Sequence, residues 1–154
     1  MAALFDFLRY ASVAALGVFA GAMLTEGGVL VPFWRSLAPA EFLRWYAANA
    51  DRLLAFFSPV TAVSAVVALL AAIGSLWEGH PGRWWAVLAA GLVLVTVVSF
   101  FVYFEHANTS FATATIAVDA VPAELARWST WHNARTALSV LALGAALLAV
   151  RQSP

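Results

Sequence analysis

Glu26 is the only charged residue in an apolar stretch running from residue 10 to residue 34. A charged side chain inside a membrane span costs roughly 2.5–3.5 kcal/mol, so a carboxylate there is seldom idle. It suits a proton carrier, a metal ligand or a substrate anchor, and equally an ion pair with Arg135 that locks two helices. Downstream, Trp128, His132, Arg135 and Ser139 are spaced by four, three and four residues, which puts all four on one face of a helix. For His132 and His106 three roles compete. Imidazole titrates in the range a general base needs; it can ligate a metal or haem, with Glu26 or Glu105 beside it; or it can simply hydrogen-bond at an interface. Arg135 either stabilises an oxyanion or snorkels to the headgroups. Trp128 and Trp131 line an aromatic pocket or belong to the interfacial belt. There is no His-Glu-x-x-His and no Glu-x-x-His pair, so no metal site is read from spacing.

These residues need elements to carry them. A spanning helix takes about 20 mostly apolar residues. Residues 10–34, 53–77 and 84–104 supply three such stretches, the second and third without any charge. The fourth, 136–150, reaches spanning length only when extended back to Trp128, which brings His132 and Arg135 into it. Trp34, Trp77, Trp84, Trp85 and Tyr103 fall at or near the ends of these spans, as an aromatic belt requires. Residues 78–83 form a short polar turn, which makes the second and third helices antiparallel neighbours. Residues 35–52, with Pro39, Glu41, Phe42, Arg44, Trp45 and Tyr46, read as a short amphipathic helix in the interface between spans one and two. Residues 105–127 read as a second long linker, with Pro122 in the first turn of the fourth helix.

The expected fold class is therefore all-α: an integral membrane four-helix bundle forming a single domain over residues 1–154. In an up-down-up-down bundle both long linkers lie at one end. Glu26, Glu105, His106, Asn108, His132 and Arg135 all belong to that end. Glu26 precedes Trp34 by eight residues, so it sits about 12 Å inside the boundary. His80, in the short turn, lies at the opposite end and reads as a structural residue. Gly17 and Gly21 form a GxxxG in the first span. This motif allows close helix packing within the chain or homo-oligomer formation.

Composition bounds the function classes. The chain is 64% hydrophobic and 10% charged, against about 25% charged in soluble domains, so the bilayer is its expected solvent and membrane lipid its expected surroundings. Net charge is zero and all eight basic residues are arginine. Nothing here suits a nucleic-acid partner. Cysteine is absent, which removes disulfides, thiolate nucleophiles and cysteine-held metal clusters. The expected location is a multi-pass position in a bacterial inner membrane. Five arginines (35, 44, 52, 127 and 135) lie on the long-linker side and three (9, 83 and 151) on the other, so the positive-inside rule would put the long linkers in the cytoplasm.

The polar step Phe104-Glu105-His106-Ala107-Asn108, followed by Arg127-Trp128 and the run Trp131-His132-Asn133-Ala134-Arg135-Thr136, resembles the anthrone-oxygenase-like family of small four-span membrane proteins. The resemblance spans nearly the whole chain, and its most specific part is the fourth helix. It implies an integral membrane oxidoreductase that oxidises an anthrone to an anthraquinone with dioxygen. By that likeness His132 and Arg135 carry over as pocket residues and Asn108 as a polar partner.

Three functions follow as expectations. The first is an oxygenase acting on an apolar polycyclic phenol or anthrone. Its catalytic residues are His132, Glu26 and Arg135, and its substrate contacts come from Asn108, Trp128, Trp131, His106 and Glu105. It needs no cofactor, because the carbanion of such a substrate reacts with dioxygen itself. The second is a haem- or metal-bearing redox protein with His106 and His132 as ligands. The third is a non-enzymatic transporter, lipid-binding factor or assembly subunit in which Glu26 and Arg135 form a gate or lock.

Overall fold

The computed structural model describes residues 2–152. Four helical rods are long and apolar enough to cross a membrane: Ala3–Ser36, Pro39–Trp77, Arg83–Ala112 and Val118–Arg151. The chain is thus an all-α bundle with the composition of a multi-pass membrane protein. The first rod is built from α1 (Ala2–Thr25), a π-helical turn (Glu26–Leu30) and α2 (Val31–Ser36). The second is α3 (Pro39–Trp77). The third is α4 (Arg83–Ser99), a second π-helical turn (Phe100–Phe104) and α5 (Glu105–Ala112). A 3₁₀ turn (Val118–Ala120) leads into α6 (Val121–Arg151), with Pro122 in its first turn as expected. Around the bundle α1 packs on α3 and α6, and α4 packs on the same two.

Two of the expected linkers turn out to be helix. Residues 39–52 do not form a separate interfacial helix but are the first third of the unbroken α3. The break comes earlier, at Leu37 and Ala38, which are extended (ψ 148° and 144°). No helix breaker lies between Pro39 and Pro59, and the Ala-rich segment over residues 47–50 favours continuation across the Asp51-Arg52 charge step. Phe42, Leu43 and Tyr46 then bury against Trp34 and Phe111. Residues 105–112 likewise extend the third rod, leaving only 113–117 as loop.

The core has two halves of different grain. Toward the short turn it is mostly alanine, with Ala65, Ala68, Ala86, Ala89, Ala142 and Ala145 packed around Leu16, Phe19 and Val93. Small residues let helix backbones approach closely where lipid offers no hydrophobic drive. Gly82 shows how closely: a Cβ there would lie 2.3 Å from the backbone oxygen of Ala149. Toward the other end the core is aromatic, with Trp34, Phe42, Tyr46, Phe104, Phe111 and Trp128 in mostly edge-on contact. At the short-turn end, Arg9 is buried and ion-pairs with Glu78 at 3.1 Å and with Asp6. Next to them the buried His80 accepts the Gly82 N–H through Nδ1 at 3.0 Å. Gly17 faces Leu143 of α6, whereas Gly21 is exposed with open space around its Cα.

Candidate functional site

Where the alanine core gives way to the aromatic one, the two π-helical turns interrupt α1 and α4. Each is closed by a bond five residues back: Val31 N–H to the Glu26 carbonyl and Glu105 N–H to the Phe100 carbonyl. Such turns insert a residue and re-aim the side chains around it, and they recur at functional sites. Here the first carries Glu26 and the second carries Phe100 and Phe104.

Trp128, His132, Arg135 and Ser139 occupy one buried face of α6, with His132 and Ser139 wholly inaccessible. His132 Nε2 is 3.0 Å from the Met23 carbonyl. A carbonyl can only accept, so Nε2 carries the hydrogen. Nδ1 of the same ring faces Glu26 Oε2 at 3.4 Å, close but without the alignment of a formed hydrogen bond. Trp128 stacks on the imidazole (centroids 5.0 Å, planes 10° apart) and donates its indole N–H to Asn108 Oδ1 at 2.9 Å. Thr136 donates to the His132 carbonyl at 2.9 Å. Gly27 is what lets the ring sit against the first rod: a Cβ there would lie 3.1 Å from His132 Nε2.

Arg135 is buried beside this pair. Its guanidinium lies 4.3 Å over the Phe104 ring, and Nη2 is 3.5 Å from the Met23 sulfur. Nε has no hydrogen-bond partner among the described residues. Among the described residues Arg135 makes no ion pair, with Glu26 or any other carboxylate. The expected Glu26–Arg135 lock is thus not closed, and most of a five-donor group is left without a strong acceptor.

Glu26 and Arg135 form the floor of a cavity of about 600 Å³ between α3 and the third rod. Asn108, Glu105 and Trp128 also line it, as the sequence led us to expect, and aromatic walls come from Phe57, Phe100 and Phe101. His132 stands behind Glu26, outside the lining. It touches the cavity only through that carboxyl, 3.4 Å from Nδ1. The size falls in the usual range for small-molecule sites, about 300–1,000 Å³.

Two expected members lie elsewhere. His106 is exposed and lines a separate groove of about 480 Å³ with Tyr103, Glu124 and Arg127. Adjacent residues on a helix are turned about 100° apart, so Glu105 and His106 cannot both face the cavity. Trp131 is 37% exposed and stacks on Tyr103 (5.0 Å, 8°), on that other side of α6. The expected ligand pair His106 and His132 is not brought together, since His106 lines the exposed groove whereas His132 is wholly buried behind Glu26. Among the described residues no three His, Asp or Glu side chains gather as a metal site.

Asp51, which the sequence places at the same end, also lines the cavity, together with residues that were not expected there: Tyr46, Ser58 and Thr61 of α3 and Thr96 of α4. For Tyr46 and Thr61 the signal was a helical stripe, Tyr46-Ala50-Leu53-Phe57-Thr61, hidden because it crosses the supposed boundary at residue 52. Thr61 and Thr96 donate to the backbone carbonyls of Phe57 (2.8 Å) and Val93 (2.7 Å), so their hydroxyls are bound back to their own helices. The sequence matches no protein-family model, no curated protein and no solved structure.

Proposed function

We propose that this protein is a membrane oxidoreductase that removes a proton from a flat, apolar carbon acid of the anthrone type and lets the resulting anion react with dioxygen. The observation that carries the reading is Glu26: a buried carboxyl backed by His132 Nδ1 at 3.4 Å, at the floor of an aromatic-walled cavity it shares with Arg135. Glu26 takes the proton from the ring methylene and can pass it to His132. The negative charge moves to the ring oxygen, and Arg135 and Asn108, which both line the cavity, stabilise it. The electron-rich carbon then reduces dioxygen and forms a carbon–oxygen bond. Loss of water completes the change, so that anthrone plus dioxygen gives anthraquinone plus water. Dioxygen is the oxidant, and no electron carrier is needed to balance the reaction. The likeness in the fourth helix supports the choice of substrate, and the geometry supports the acid–base step.

The test is anthrone-dependent oxygen uptake by the protein in mild detergent. Positioned acid–base catalysis contributes typically 10²–10⁴-fold. Glu26→Gln is therefore expected to lower the rate by about 100-fold or more, and His132→Ala to lower it through the same carboxyl. Full anthrone consumption by both variants would remove the proposal.

A further inference from the structure

We propose that the cleft between α3 and the third rod is a side entrance from the bilayer, through which a neutral, flat molecule bearing a hydrogen-bond-accepting oxygen reaches Arg135 and Glu26. This rests on the site assigned above, but not on the oxidation chemistry assigned to it. The cavity is owned by two neighbouring helices: apart from Glu26, Trp128 and Arg135 on its floor, every lining residue comes from α3 or from the third rod. At its mouth, Leu54 is 55% and Phe101 66% exposed, yet both line the cavity. Leu54 lies three residues beyond Asp51, and Phe101 four before Glu105, so the mouth opens about 4–6 Å on the apolar side of the charge step. In a bundle whose rods span the membrane, that level is the edge of the acyl chains, and the opening faces lipid sideways.

The chemistry of the occupant follows from what the cavity does and does not satisfy. The walls are aromatic and apolar, which suits a flat ring system. At the floor a buried guanidinium has an unpartnered Nε and only a thioether as partner to Nη2. Nε is sealed off, but Arg135 lines the cavity without a carboxylate partner among the described residues, and a ligand oxygen gives that buried cation an acceptor. The rim decides between a neutral molecule and an anion. Asp51, Glu105 and Glu26 all line the cavity, three carboxyl groups to one guanidinium. A fatty acid or an anionic phospholipid would enter against that field, whereas a neutral ketone or phenol would not.

Benzophenone tests this directly, because it is a neutral diaryl ketone that inserts into nearby C–H bonds when irradiated. The protein, reconstituted in phosphatidylcholine vesicles, is irradiated with benzophenone and the adducts are mapped by mass spectrometry. We expect adducts concentrated in residues 53–62 and 96–105, and their loss when excess 9,10-anthraquinone is present but not when excess palmitate is. Leu54→Trp, which narrows the mouth, should remove the adducts around Thr61 and Thr96. Val63→Trp, equally lipid-facing at 56% exposure but outside the cavity, should leave them. Adducts spread over all four rods according to exposure, or adducts untouched by competition and by Leu54→Trp, would overturn the entrance. Cavity adducts in a protein that consumes no anthrone would leave the entrance standing and remove the oxidation. Anthrone turnover with scattered adducts would do the reverse.

Discussion

Replacing Gly27 with alanine adds a single methyl group at the point where the first rod meets His132. The new Cβ would stand 3.1 Å from His132 Nε2 and 3.2 Å from Cδ2, so the ring must give way by a few tenths of an ångström. It has little room to do so: Trp128 stacks on one face, and Nε2 is held by the Met23 carbonyl at 3.0 Å. Overpacking of this kind costs about 1–3 kcal/mol, and loss of the bond to Met23 adds about 1 kcal/mol. Against this, alanine in a helix is favoured over glycine by roughly 0.5–1 kcal/mol. The net expectation is a destabilisation of about 1–3 kcal/mol, together with a fall in anthrone oxidation as Nδ1 moves off Glu26. Gly28, the next residue, is the control. A Cβ there meets nothing within 4 Å, so Gly28→Ala keeps the helical gain and should be neutral or stabilising with activity intact. Unfolding of both variants in mild detergent, with oxygen uptake on the same samples, separates the two. If Gly27→Ala and Gly28→Ala behave alike in both assays, the packing of His132 against the first rod is wrong, and with it the support behind Glu26.

Two further outcomes concern the opposite end of the bundle. Gly82→Ala would drive a methyl group to 2.3 Å from the Ala149 carbonyl oxygen; since backbone yields less than a side-chain tip, we expect a loss of about 3 kcal/mol or more, read from the unfolding midpoint, with no comparable loss for Gly91→Ala, whose Cβ would be in open space. His80 sets a pH dependence: burial, and then the Arg9 guanidinium, hold its pKa below the usual histidine value, with Asp6 and Glu78 opposing. The unfolded chain therefore binds the proton more readily, so this contribution to stability is complete above about pH 6.5 and declines as pH falls from there toward the folded-state value. Protonation also removes the Nδ1 acceptor of the Gly82 N–H. Unfolding midpoints from pH 8 to pH 5 should fall less in His80→Asn than in the parent chain, and an identical slope in the two would exclude His80 as the source.

Much of the architecture was written in the hydropathy pattern, because the bilayer permits few solutions. Four apolar stretches, the short turn at 78–83 and Pro122 in the first turn of α6 all reappear in the fold. The stripe Trp128-His132-Arg135-Ser139 was readable for the same reason: helical phase decides which side chains share a face, and here the shared face is the buried one. Phase failed where the helix was not α. Each π-helical turn adds a residue and shifts everything beyond it, and the only local hint was Gly27-Gly28 after Glu26. The second, Phe100–Phe104, consists wholly of aromatic residues and valine and carries no hint at all. Charge misled in a different way. Asp51 and Arg52 looked like the end of a span, yet α3 runs through them and carries Tyr46 into the site.

The cavity itself lies where the two halves of the core meet. Alanine faces at the short-turn end draw the four rods together until Gly82 touches the backbone of α6. At the other end Trp34, Trp128, Phe104 and Phe111 fill the core and meet edge-on. The cavity falls between α3 and the third rod, where the second π-helical turn gives Phe100 and Phe101 to the wall. Glu26 and Arg135 sit at the seam. Were they an ion pair, they would satisfy each other and close the floor. Because Arg135 instead lies over Phe104 and keeps an unpartnered Nε, the seam retains both a proton acceptor backed by histidine and a cation with unused donors.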